Sequence, residues 1–299
     1  MEQRNPPEAP AAVVTGVSSG IGNAILREMI HAGWKVFGSV RKPADAERLS
    51  SELGAAYVPL VFDVTDAAGL KRAAEEVRHA LGGLKLSGLV NNAGIAVPGP
   101  LLELPIAELR RQLEVNLVSV LAVTQAFFPL LRKRADGGKP ARIVNVSSVA
   151  GRIALPFLGP YAVSKHGVQA LSDSLRRECL ASGVDVVVID PASVATAIWD
   201  KAEALDLAPY AASPYREPMQ KMRDSMVASG RRGSKPEVIG RLVVRLLRAS
   251  RPRPRRMVGR GSTGIWVMTH FVGRRMVDRL VSAALGLTRA GSTGARSRS

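Results

Sequence analysis

Tyr161 and Lys165 stand four residues apart in Tyr161-Ala162-Val163-Ser164-Lys165, a spacing that sets a phenol and an ammonium on one face of a helix. A phenol with an ordinary pKa of about 10 is a poor acid or base at neutral pH, and a neighbouring ammonium favours the phenolate and lowers that value. The pair can therefore move a proton, although the same spacing alone is common on surface helices. A second chemistry-bearing stretch is Thr15-Gly16-Val17-Ser18-Ser19-Gly20-Ile21-Gly22, which follows a short apolar run and opens a helix-compatible segment over 23–32. Strand, glycine-rich turn and helix N-terminus together make an anion site. Backbone amides and the positive helix end face a phosphate, and glycine lets it come close.

Such side chains need a scaffold. Short β-branched or apolar runs at 12–15, 35–40, 57–62, 88–91, 142–146, 184–189 and 256–259 alternate with helical patterns, as in a parallel sheet covered on both faces. The expected fold class is α/β: a single Rossmann-type doubly wound parallel sheet of about seven strands, with helices on both faces and a basic C-terminal helical extension. Residues 1–11 are expected to be a flexible N-terminus, 12–262 the dinucleotide-binding and catalytic domain, and 263–299 a basic amphipathic helix ending in a disordered tail. Within the domain, 193–236 is too long for an ordinary connection and is expected to be a substrate lid, with a disordered insertion as the alternative.

Thr15-Gly-x-x-x-Gly-x-Gly22, Asn91-Asn92-Ala93-Gly94, Ser148 and Tyr161-x-x-x-Lys165 occur in that order, and this constellation resembles the short-chain dehydrogenase/reductase family over about 12–261. The stretch 36–42 and Tyr161-Ala-Val-Ser-Lys-His-Gly167 look most like its hydroxysteroid and retinol dehydrogenase branch. The resemblance implies reversible hydride transfer between a nicotinamide and an alcohol or carbonyl carbon. By the same resemblance Tyr161 is the acid/base, Lys165 binds the nicotinamide ribose and depresses the tyrosine pKa, and Ser148 hydrogen-bonds the substrate oxygen. Ser147 is the competing serine. Asn116 matches the asparagine that holds a water in the proton relay, and an Asn within an apolar helix also suits a kink.

The cofactor contacts implied in this way are Thr15, Gly16, Ser18, Ser19, Gly20, Ile21 and Gly22 around the pyrophosphate. Asp63 and Val64 would meet the adenine, Asn92, Ala93 and Gly94 the adenosine side, and Pro191, Val194 and Thr196 the nicotinamide half. The family usually has Pro-Gly where this chain has Pro191-Ala192, and alanine disfavours positive φ. At the end of the second apolar run Val40 takes the place of the acid that selects NAD, and Arg41 and Lys42 follow. That favours NADP(H), with NAD(H) as the alternative; the competing reading lets Arg41 point into solvent or stack on adenine.

Ile153, Leu155, Phe157 and Leu158, with Ile198, Trp199, Leu205 and Leu207 of the lid, suit a lipophilic alcohol or ketone, and Leu155 and Trp199 are expected to touch it. No His, Cys or carboxylate grouping suggests a metal site, and Asp185 and Asp190 show no partner for paired carboxylate chemistry. Cys179, the one cysteine, rules out an internal disulfide and is expected to be a small buried hydrophobe.

The formal net charge of +17 is uneven: residues 231–299 hold 17 Lys+Arg against Glu237 and Asp278, a surplus of +15. Over 265–287, Phe271, Val272, Met276, Leu280, Ala284 and Leu287 can share one helix face, with Arg274, Arg275, Asp278 and Arg279 away from it. That stripe is expected to dock on the body or a partner subunit, with an anionic membrane surface as the alternative. No signal peptide or transmembrane helix is expected, so the protein is read as cytoplasmic, with peripheral membrane contact through this helix as its alternative. The expected partners are a small-molecule substrate and further copies of the chain. Two non-enzymatic readings stand beside this one: a dinucleotide-sensing regulator without turnover, and a nucleic-acid binder using the basic C-terminus. The first is disfavoured by the presence of Asn116, Ser148, Tyr161 and Lys165 together; the second by a basic segment without interleaved aromatics.

Overall fold

The computed structural model describes residues 9–136 and 139–287. Seven parallel strands form one sheet in the order β3-β2-β1-β4-β5-β6-β7. They are β1 (Ala11–Val14), β2 (Lys35–Val40), β3 (Tyr57–Val61), β4 (Gly88–Asn91), β5 (Arg142–Val146), β6 (Asp185–Pro191) and β7 (Arg255–Val258). The chain works outward from β1 to β3, returns to the middle at β4, and then runs to the opposite edge. Strands on either side of the β1/β4 seam thus connect in opposite directions, which opens a crevice at their carboxyl ends. Ala11, placed by sequence in a flexible N-terminus, already pairs with Lys35 of β2. Residues 1–8 and the tail over 291–299 lie outside the described residues.

Helices cover both faces. On one side lie α1 (Gly20–His31), α2 (Pro43–Leu53) and, from later in the chain, the helix Glu237–Arg248; on the other lie α3 (Ala67–Leu81), α4 (Ile106–Leu113), α5 (Ser119–Phe127) and α6 (Gly159–Glu178). The chain continues with α7 (Ile198–Glu203) and α8 (Arg216–Arg231), so that Glu237–Arg248 is α9, followed by α10 (Ser262–Phe271) and α11 (Arg274–Leu285). In α9 the spacing of Ile239, Leu242, Val243, Leu246 and Leu247 makes one buried stripe. Gly240 lets that helix press on α1, where a Cβ would lie 2.6 Å from the Ala24 carbonyl oxygen. The α4–α5 run, Ile106–Leu130, is long and apolar enough by composition to cross a membrane. Here Val123 and Phe127 are buried against the sheet with Leu70 and Val77 of α3, as in a core helix. Cys179 joins the same cluster, and burial raises its thiol pKa.

Arg142 opens β5 almost completely buried. Its guanidinium meets Asp185 Oδ2 at 2.6 Å, donates to Ala249 O at 3.2 Å and also reaches Leu246 O. It thereby supplies a donor to Ala249 O just past α9 and a second one to Leu246 O, which also takes Ala249 N at 3.3 Å.

The stretch 193–236 is a helical hairpin of α7 and α8 rather than a disordered insertion, and its two ends are pinned together. Ser234 N donates to Ser193 O at 2.9 Å and Ala195 N to Ser234 O at 3.0 Å, so a long excursion closes at a narrow base. The extension differs from the single helix expected over 265–287. It breaks at Val272-Gly273 into α10 and α11, with Gly273 extended at ψ 143° as the new N-cap. Phe271 and Met276 therefore do not continue one stripe. The docked face of α11 is Val281 and Leu285, on the neighbouring stripe, in one cluster with Met219 and Met222 of α8, while Met276 and Leu280 are exposed.

Replacing Arg142 by Leu keeps side-chain bulk but removes both donors. Urea unfolding is expected to show a loss of about 2 kcal/mol, the usual cost of a buried acceptor left without its donor.

Candidate active site

The glycine-rich turn between β1 and α1 is shaped by contacts that exclude side chains. Gly16 has φ 72° and Gly20 φ 59°, the left-handed region that glycine adopts freely. A Cβ on Gly16 would lie 2.9 Å from Ala93 Cα, and one on Gly22 would collide with the Gly16 carbonyl oxygen. Ser19, the N-cap of α1, makes no side-chain cap bond, so the first-turn amides keep their donors for a ligand. A dinucleotide pyrophosphate fits this cradle: close backbone, unused amides, the positive end of a 12-residue helix, and no side chain in the way.

Thr15 and Asn92 build the cradle. Thr15 Oγ1 accepts from Asn92 N and Ala93 N, each at 3.0 Å. Asn92 Nδ2 donates to Thr15 O at 2.9 Å and Gly16 O at 3.1 Å. Asp63 takes Thr65 N and Thr65 Oγ1 on one carboxylate oxygen, at 2.9 and 2.7 Å, beside buried Val64. Thr196, just before α7, lies over Gly20, within 3.7 Å of where a Cβ would be. Pro191 ends β6; Ala192 does not adopt positive φ, so the departure from Pro-Gly carries no left-handed strain. Val194 is buried and its carbonyl accepts from Trp199 Nε1 at 2.7 Å. At the far end of the crevice Arg41 and Lys42 are exposed after buried Val40, and Arg48 donates to Ser18 O at 3.1 Å while held by Asp45 and Glu52.

The proton-handling residues come from three elements. Helix α6 starts with Pro160 in its first turn and carries Tyr161 and Lys165 one turn apart. Strand β5 ends at Val146, whose carbonyl accepts from Lys165 Nζ at 2.9 Å. The same ammonium lies 5.6 Å from the centre of the Tyr161 ring. Burial raises the Tyr161 phenol, and a hydrogen bond with Ser148 pulls it back down. Ser148 is thus the serine beside the phenol. Ser147 is turned inward, donating to Lys165 O at 3.1 Å and accepting from Gln169. Burial lowers Lys165 to about 8, against the pull of Asp190 in the other direction.

Asn116 sits in a π-turn, Glu114–Val118, between α4 and α5. Its Oδ1 accepts from Ile95 N at 2.8 Å, and its Nδ2 donates to Ile95 O at 2.9 Å and Ser164 Oγ at 3.2 Å. The side chain therefore clamps the segment after β4 to α6, while the π-turn interrupts the helix as the lone Asn suggested.

The two expected substrate contacts lie on separate elements. Leu155 is half-buried in the loop between Ser148 and α6. Trp199 is half-buried on α7, and its indole packs where a Cβ on Gly230 would be, which joins α7 to α8. Sequence reasoning also missed a buried network. Asp190 is fully buried, pairs with Arg152 Nε at 2.7 Å and accepts from Gln169 Nε2, one turn beyond Lys165. Burial raises its carboxyl, and Arg152 opposes that rise. Phe157, at φ 65°, holds a conformation unusual for a large side chain; its carbonyl accepts from Gly99 N at 2.8 Å. Among the described residues no His, Cys, Asp and Glu cluster could hold a metal.

A family model described as short chain dehydrogenase matches residues 10–206. An NADPH-dependent 3-dehydrocapnine reductase of Ornithobacterium rhinotracheale is 37% identical over 90% of this chain and 95% of its own length. Human 17-beta-hydroxysteroid dehydrogenase type 6 is 38% identical over 64% of this chain, which spans only 60% of that protein. In fold, a short-chain dehydrogenase from Streptomyces avermitilis aligns with a TM-score of 0.73 at 22% identity, covering 95% of this chain and all of its own. A short chain dehydrogenase/reductase from Burkholderia phymatum in complex with NAD aligns at 0.74 and 24%, covering 91% and 95%.

Two outcomes follow from this geometry. Gly22→Ala forces the turn open, and fluorescence titration is expected to show dinucleotide affinity reduced about tenfold to a hundredfold. With Lys165 at about 8, its ammonium is present below that pH and lost above it. Carbonyl reduction, in which the phenol gives up its proton beside that charge, should show kcat/KM level at lower pH and falling through about 8, a limb that Lys165→Arg removes.

Proposed function

The chain belongs to the short-chain dehydrogenase family, and from that membership we propose an NADP(H)-linked oxidoreductase that interconverts a lipophilic alcohol and its ketone. The family and its relatives make it an NAD(P)-dependent oxidoreductase acting on CH-OH or carbonyl groups. A relative named as an NADPH-dependent reductase supports the choice of cofactor and direction; others named as hydroxysteroid and retinol dehydrogenases support an apolar substrate.

The observation that carries the reading is Tyr161 and buried Lys165 one turn apart on α6, the ammonium 5.6 Å from the ring centre, in a fold whose first turn leaves no room for a side chain at 16 or 22. When bound there, the nicotinamide supplies or accepts the hydride. Tyr161 holds a proton on its hydroxyl at neutral pH and gives it to the carbonyl oxygen. Ser148 donates to that same oxygen and orients it. Lys165 keeps a positive charge under the phenol as it empties, and Asn116 keeps α6 in register with the segment after β4. Arg41 and Lys42, with no carboxylate at Val40, suit a 2′-phosphate. Apolar walls come from Leu155, Phe157 and Leu158 below and from Leu207, Met219 and Met222 of the lid.

Self-association has a face in Ile106, Val118 and Val163, exposed apolar side chains along α4, the π-turn and α6. The enzyme is read as a cytoplasmic homo-oligomer that meets a membrane only peripherally.

The test is a panel of steroid, retinoid and simpler ketones and alcohols followed by nicotinamide absorbance with each cofactor. Turnover should favour the apolar members, and Tyr161→Phe should abolish it while NADPH still binds. Unchanged turnover in that variant would end the mechanism. Arg41→Ala should weaken NADPH about tenfold and NADH little, the difference one charge-assisted phosphate contact makes.

A further inference from the structure

The extension after β7 combines two features that a soluble surface seldom holds together. None of the ten residues of α10 is buried, although its sequence, Ser-Thr-Gly-Ile-Trp-Val-Met-Thr-His-Phe, is mostly apolar. Trp266 stacks on His270 at 4.8 Å and meets Phe271 edge-on at 5.5 Å, an aromatic cluster turned outward. Phe271 is 73% exposed, and on α11 Met276 and Leu280 are 50% and 57% exposed. Single exposed apolar residues are ordinary; a run of five, Trp266, Val267, Phe271, Met276 and Leu280, on two consecutive helices marks an interaction surface.

Charge is arranged around it. On α11 the helical period sets Met276 and Leu280 on one stripe, with docked Val281 and Leu285 on its inner side and Arg275 and Arg279 on its outer side. Arg251, Arg253, Arg256 and Arg260 are exposed just before α10. Among the described residues Arg275 and Arg279 form no ion pair, whereas Arg231, Arg241 and Arg255 are all matched to carboxylates. An apolar stripe bordered by free arginines is the pattern of a helix lying in a lipid interface, where the side chains between the arginines enter the acyl boundary and the guanidiniums reach phosphates.

The extension is also joined to the site. It leaves β7 at the carboxyl edge of the sheet, where the crevice opens. Leu285 packs in one cluster with Met219 and Met222 of the lid and with Phe157 and Leu158 of the loop leading to Tyr161.

We propose that α10 and α11 seat the protein on an anionic lipid surface, with Trp266, Phe271, Met276 and Leu280 entering the bilayer interface and Arg275 and Arg279 on its phosphates, so that the mouth of the substrate site faces the membrane. That orientation rests on the lipophilic-substrate reading above; the binding itself does not. A second copy of the chain fits less well, because a two-fold contact through this stripe would bring like arginines toward one another.

The test uses the full chain with vesicles of phosphatidylcholine alone or enriched in phosphatidylglycerol, read by co-sedimentation in low and high salt without any turnover. Binding is expected on the anionic vesicles and to weaken with salt. The Arg275→Gln/Arg279→Gln variant should lose about fivefold in affinity per arginine. Phe271→Glu/Leu280→Glu should lose at least about tenfold, since it removes two buried apolar side chains. Both variants should keep NADPH binding and turnover of a water-soluble ketone, which shows the body intact. The proposal is overturned if neither vesicle binds, if both bind equally, or if the glutamate variant instead dissociates an oligomer, which would make the second copy the occupant. Absence of turnover on every ketone would count against the enzyme reading and leave the vesicle result standing.

Discussion

One carboxamide joins the two halves of this sheet where they turn away from each other. Asn92 follows β4, and its Nδ2 is shared between the carbonyls of Thr15 and Gly16, which follow β1. Without it the carbonyls of Thr15 and Gly16 would lose this donor at the carboxyl end of the β1/β4 seam, a poor place for an anion. With it those carbonyls are held down, and the turn rises over them with its amides facing outward. The requirement for glycine at 16 and 22 is a consequence, since the space a side chain would need is already filled by Ala93, by the Gly16 carbonyl and by this same carboxamide. The catalytic side inherits the alignment: Asn116 ties the backbone at Ile95, three residues past Asn92, to Ser164 on the helix that carries Tyr161 and Lys165.

Much of this arrangement was legible in the residues because its constraints are local. A strand, a glycine turn and a helix start lie within about twenty consecutive positions, and a Tyr and Lys one turn apart must share a face whatever surrounds them. β2, β4 and β5 fall where short β-branched runs lie, since strands buried on both faces admit little else. What escaped depends on partners far along the chain. Asp190 looked solitary because no second carboxylate was placed to pair with it, yet its partner is an arginine 38 positions away. The packing of Trp199 escaped as well: Gly230, 31 residues on, leaves a gap that its indole fills. In the extension the apolar period alone could not reveal that Val272-Gly273 would break the helix, since both stripes of α11 are apolar and only packing on α8 decides which one is covered.

The break has a physical purpose in the fold. Gly273, extended at ψ 143°, caps α11 and separates its direction from that of α10. Turning at Gly273 brings Val281 and Leu285 back onto α8, where they share a cluster with the loop before Tyr161. The α7–α8 hairpin is therefore held from two directions: by its own pinned base at Ser193 and Ser234, and by a helix from beyond the last strand.

The distribution of charge then takes on a different meaning. A dinucleotide carries negative phosphates, and a basic chain with a net charge of +17 invites the idea that arginines and lysines hold them. The pyrophosphate cradle from Thr15 to Gly22 contains neither residue; its attraction comes from amides and a helix end, which are oriented by the fold and need no countercharge. Arg27 on α1 is taken by Glu52, and Lys165 turns its ammonium to a carbonyl. Arg41 and Lys42 stand outside that turn, exposed after Val40. The surplus in the last quarter of the chain is consequently not part of dinucleotide binding. Its exposed members stand beside exposed Trp266, Phe271 and Leu280, and an anion that they meet there has to tolerate apolar neighbours as well.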